Sequence, residues 1–192
     1  GYGALNALTA GAQNTAVGYQ AADGLTTGAY NTVLGYDALG NATTQADHHV
    51  AIGRGAMSGA IVAEDLNFCV AIGDLTMSGA LDAAASGTVA VGKSALAALT
   101  SGAGNTAIGY QAMAANTIGT TSVAIGYNAM LTHDGGLRNI AIGYAAMDDT
   151  DAGGASKASD DNIFIGYGAG GGTWANADCS NIVCVGSQAM SG

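Results

Sequence analysis

Along this chain the apolar residues stand two apart in short triplets, and each triplet runs into a glycine. The phrase reads Asn, a β-branched residue, Ala, Val or Ile, Gly, Tyr, any residue, Ala, then Leu or Met. Asn14-Thr15-Ala16-Val17-Gly18-Tyr19-Gln20-Ala21-Ala22 and Asn105-Thr106-Ala107-Ile108-Gly109-Tyr110-Gln111-Ala112-Met113 are two copies of it. It returns ten times, and a headless eleventh copy opens the chain at Gly1. The phrase glycines, from Gly1 through Gly18 and Gly35 to Gly166 and Gly186, are spaced by 17, 17, 18, 20, 19, 17, 17, 17, 23 and 20 residues. A fixed unit of this length predicts stacked coils, each burying its apolar side against its neighbours. The expected fold is all-β, a parallel β-solenoid or β-roll of about eleven coils with a basic 17-residue repeat. Residues 1–192 form one such domain, read as a fragment of a longer fibrous protein. The longer intervals place loop insertions near 58–68, 78–88, 148–161 and 170–181, always between the Leu/Met position and the next Asn.

Within the triplet, the first and third residues share one face of a strand and the middle residue takes the other. The third-position file, Val17, Ile52, Ile72, Val91, Ile108, Ile125, Ile142 and Ile165, is expected to be the core stripe. The middle file, Ala16, Ala51, Ala71, Ala90, Ala107, Ala124 and Ala141, is apolar too, but small. A strand apolar on both faces is covered on both. One cover is the coil's own interior. For so thin a coil the other is expected to be a sister chain meeting the alanines, in a symmetric homo-oligomer. The competing arrangement is a wider single-chain coil that hides both faces. Asn before the strand suits a turn or a side-chain ladder, and Tyr after the glycine suits a half-buried seam.

Composition narrows the class. The 192 residues include 32 Gly and no Pro, 49% are hydrophobic and only 9% charged, and mean hydropathy is +0.29. Disorder needs the opposite balance. Fourteen acids against four scattered bases, a net charge of −10, exclude a phosphate-binding surface and hence a nucleic-acid partner. No apolar run reaches membrane-spanning length, so no membrane insertion is expected. Three cysteines do not build a disulfide framework.

Candidate chemistry is sparse. His48 and His49 are adjacent to Asp47, but a dipeptide falls short of a ligand spacing, and turn residues are the plainer reading. Asp149 and Asp151, with Gly153, imitate the start of a Ca²⁺ loop without its closing glutamate; an acidic solvated insertion explains them better. The expectation is no metal and no cofactor, with Ca²⁺ the weak exception. The glycines at 168–172 lack the Lys-Ser/Thr pair and helix of a phosphate loop. No nucleophile constellation is present, and the chain is expected not to be an enzyme.

The phrase, linked in places by Thr26-Thr27-Gly28 or Thr100-Ser101-Gly102, resembles repeat regions of bacteriophage tail fibres. Ser122-Val123-Ala124-Ile125-Gly126 also resembles the head repeats of trimeric autotransporter adhesins, whose coil is shorter. The resemblance implies a homotrimer, side by side or intertwined. It implies a structural shaft or receptor-binding segment of a virion tail fibre, attaching to a host-cell surface glycan or protein. The rivals are a bacterial cell-surface adhesin head and an ice-binding β-solenoid. For the latter, the tyrosine file is interrupted by Arg54, Asp74 and Lys93.

Overall fold

The computed structural model describes residues 1–42, 46–61, 65–148, 159–172 and 180–191. They form a parallel β-solenoid. Ten three-residue strands lie in one sheet in chain order: β1 Thr15–Val17, β2 Thr32–Leu34, β3 Val50–Ile52, β4 Val70–Ile72, β5 Val89–Val91, β6 Thr106–Ile108, β7 Val123–Ile125, β8 Ile140–Ile142, β9 Ile163–Ile165 and β10 Val183–Val185. The headless copy at Gly1 carries no strand among the described residues. Pairing keeps phase throughout: Thr15 meets Thr32, Ala71 meets Ala90, and Ile142 meets Ile165. Register is therefore the same at every spacing of the phrase glycines, from 17 to 23 residues; the insertions expected near 148–161 and 170–181 lie largely outside the described residues. One insertion contains a single 3₁₀ turn, Ala83–Ala85, capped by the Asp82 carboxylate.

The glycine closing each strand has two physical reasons to be glycine. Gly18, Gly35 and Gly109 sit at φ +142°, +145° and +139°, a region L side chains rarely enter. A Cβ on any of them would also collide with the carbonyl of the phrase glycine one coil on, as Gly18 with Gly35. Two further left-handed residues follow in each coil, and most are not glycines, as Gln111 at φ 54° and Met113 at φ 53° in the sixth strand's coil; Gly3, Gly55, Gly168 and Gly170 are the exceptions. Such a conformation costs about 1–2 kcal/mol per residue. It aims successive N–H groups at opposite neighbours. Gln111 donates to the Lys93 carbonyl on the preceding coil at 2.9 Å, and Met113 to the Ala129 carbonyl on the following coil at 3.0 Å.

The interior is a continuous column of buried apolar side chains. Ala51, Ala71, Ala90, Ala107, Ala124 and Ala141 are fully buried there, with Ala16 half-buried. Facing in with them are the alanines three past each glycine and the long residues four past it, among them Leu39, Met57, Leu96, Met113 and Met130. This reverses the expected assignment of faces. The alanine file is core, and cannot touch a sister chain. The expected core stripe points outward: Val17 is 53% exposed, Ile108, Ile125 and Ile165 are exposed, and Ile52, Ile72, Val91 and Ile142 are half-buried. The reason is volume. In six coils the inward strand position holds a methyl group in the coil of a buried Leu or Met, and in the coil of β2 it holds Val33 with Leu39, while the first and third strand residues are left outside.

Candidate interaction face

The outer surface of the sheet is built by repetition. Each strand contributes its first and third side chains, so ten strands make two aliphatic files. They are Thr15, Thr32, Val50, Val70, Val89, Thr106, Val123, Ile140, Ile163 and Val183, beside Val17, Leu34, Ile52, Ile72, Val91, Ile108, Ile125, Ile142, Ile165 and Val185. All are exposed or half-buried, none is charged, and only the three threonines are polar.

A further file flanks each side, aromatic along most of one and a short stretch of the other. After the glycines, Tyr2, Tyr19 and Tyr36 stack at 5.6 and 5.3 Å, and Tyr110, Tyr127, Tyr144 and Tyr167 at 4.9, 5.1 and 5.2 Å. Between the two stacks stand Arg54, Asp74 and Lys93; Arg54 pairs with Asp74 at 2.8 Å. On the other flank, two residues before each strand, the chain is again left-handed, as at Tyr30, His48 and Phe68, each at φ 60–61°. Those three rings stack at 4.7 and 4.9 Å, and further along Arg138 holds Asp161 through two bonds of 2.6 and 2.7 Å. That pairing draws the Asp161 carboxyl below its ordinary pKa and lifts Arg138 above its own.

Behind this flank runs a buried polar ladder at the asparagine position. Asn31 accepts through Oδ1 from the His49 N–H at 2.9 Å and donates Nδ2 to the Ala46 carbonyl at 2.6 Å. Asn139 does the same toward Asn162 and Ser159, at 3.1 and 2.6 Å. His49 replaces asparagine atom for atom: Nδ1 accepts from the Cys69 N–H at 3.2 Å, and Nε2 lies 3.0 Å from the Leu66 carbonyl. The network thus selects the tautomer with hydrogen on Nε2. Burial holds this imidazole's pKa down at about 4, against partial opposition from the hydrogen bonds and Asp47. Cys69 continues the ladder with a thiol that burial keeps protonated, its Sγ 3.5 Å from the Ala85 carbonyl.

The metal candidates therefore part. His49 is buried with both ring nitrogens engaged, and His48 lies outside between Tyr30 and Phe68. Asp149 and Asp151 lie outside the described residues. Among the described residues no three His, Cys, Asp or Glu side chains converge as a metal-holding group, and no helix is long and apolar enough to cross a membrane. What the repeat presents instead is a continuous strip, aliphatic at its centre and flanked by stacked rings and ion pairs. The signal for it in the sequence is the β-branched first and third positions themselves, which face outward.

Comparison with protein-family models, with curated proteins and with solved structures finds no match to the chain.

Proposed function

We propose that the chain is a shaft segment of a bacteriophage tail fibre, assembled as a homotrimer and serving attachment to a host-cell surface glycan or protein. The observation that carries this reading is the unbroken in-phase stack of ten strands, which grows along one axis only. Nine intervals of about 4.8 Å make a rod about 43 Å long over the strands alone. Ladders of tyrosine and asparagine run with it and couple each coil to the next. Such an object transmits position and spacing, and several chains bound together multiply weak contacts with a cell into firm ones. The phrase's resemblance to tail-fibre repeats supports the same role.

Immunogold electron microscopy on the particles or cells that carry the gene tests it. Antibodies raised against the chain are expected to decorate virion tails. Label confined to a bacterial cell surface would transfer the chain to the adhesins.

A further inference from the structure

We propose that the outer face of the sheet is the surface through which copies of this chain associate, each covering another's aliphatic strip. The proposal rests on the reading of the chain as an oligomeric shaft, and moves the contact from the alanines to the opposite side of the strand. Three observations support it.

The first is chemical. A strand with water on one side carries polar residues there, yet only Thr15, Thr32 and Thr106 interrupt the aliphatic files along ten strands. The second is size. About 43 Å of stacked strands, about 20 Å wide with both flanking files, gives about 900 Å². A stable protein–protein contact takes about 800 Å² from each partner.

The third is charge. Two chains of −10 repel unless the meeting surfaces are spared the acids. The two flanking files hold Arg54, Lys93 and Arg138 against Asp74 and Asp161, three cations and two acids, leaving +1. Three of the chain's four bases are gathered here, and both acids are already paired with an arginine one coil away. The strip is a surface on which like chains meet without opposing their carboxylates.

Light scattering on the chain at tens of micromolar is the test. The wild type is expected at a multiple of 18.5 kDa. Ile108→Lys with Ile125→Lys, both outward in a single chain, is expected at 18.5 kDa with an unaltered far-ultraviolet circular dichroism spectrum. Gln111→Lys, off the strip, is expected to keep the wild-type mass. Should the lysine pair disturb the spectrum, Ile108→Thr with Ile125→Thr retains β-branching and is expected to loosen association at least tenfold. A wild type of 18.5 kDa at this concentration overturns the proposal, whether or not it shows the thermal hysteresis of an ice-binding face. A lysine pair, or a folded threonine pair, that holds the full mass overturns it as well. Gold label on cells together with a strip-dependent oligomer would remove the fibre reading and leave this interface standing.

Discussion

The coil of β6 and the coil of β9 solve one packing problem in opposite ways. In the first, the inward strand residue is Ala107 and the residue four past the glycine is Met113; both are fully buried. In the second, the strand residue is Phe164, 1% exposed, and the residue four past the glycine is Gly170. A Cβ on Gly170 would collide with the edge of the Phe164 ring. One large and one small group fill the column in each coil, with the large group supplied from opposite walls. Between these two coils the filled volume is kept while the residue supplying it changes, as close-packed interiors require.

The sharpest way to break the comparison is Phe164→Ala. Gly170 offers nothing to fill the space, so the loss is expected at about 3–5 kcal/mol of unfolding free energy, read by urea denaturation. Ala107→Phe overpacks a coil that already holds Met113, and is expected to cost about 1–3 kcal/mol or more. Adding Met113→Gly to it transplants the β9 solution. The double variant is expected to recover most of the loss, because glycine also accepts the +53° φ of position 113 without strain. A double-mutant cycle showing no coupling between 107 and 113 would refute shared volume as the cause.

The same constancy of role under a change of residue holds in the polar ladder, where His49 stands for asparagine. Here the replacement carries a pH cost. His49 and His133 are both buried with pKa values lowered to about 4, chiefly by desolvation, against an ordinary 6.5. In the unfolded chain both take protons as pH falls through about 6.5, while the folded chain stays neutral until about 4. The imidazoles' contribution to stability is therefore full above pH 6.5, declines between 6.5 and 4, and levels off below. At about 1.4 kcal/mol per pH unit, each imidazole removes about 3 kcal/mol across that window. His49→Asn restores the ladder's usual donor and acceptor, and is expected to reduce the decline by about half.

These substitutions also show what could be read from the chain alone. The period and the parallel β-solenoid were legible, because glycine spacing and β-branched triplets report directly on backbone geometry. Which side of the strand faced in was not. Both sides are apolar, and the bulkier one resembles a core until the tightness of a 17-residue turn is known. The exchange of Phe164 with Gly170 was the available clue, since it ties the middle strand position to a wall of the interior. His49 was legible as a turn residue only; its place in a buried ladder depends on the in-phase stacking of Asn31, His49 and Cys69. The left-handed conformations at Gln111 and Met113 left no trace, because neither residue type favours them.

The smallest effects are expected on the tyrosine flank, where two materials alternate along one file. Tyr127 has a ring on each side, at 4.9 and 5.1 Å, and is itself exposed. Two stacking contacts in partial water are worth about 1 kcal/mol together, so Tyr127→Ala is expected to lower stability by that amount at any ionic strength. Arg54→Ala removes an ion pair whose side chains are 60% and 30% exposed. It is expected to cost less than about 1 kcal/mol, falling toward zero in molar salt, where screening acts over about 3 Å. Thermal melts of both variants at low and high salt separate the two. A salt-dependent Tyr127→Ala loss would mean that the file is held by charge and that the stacked rings are incidental to its order.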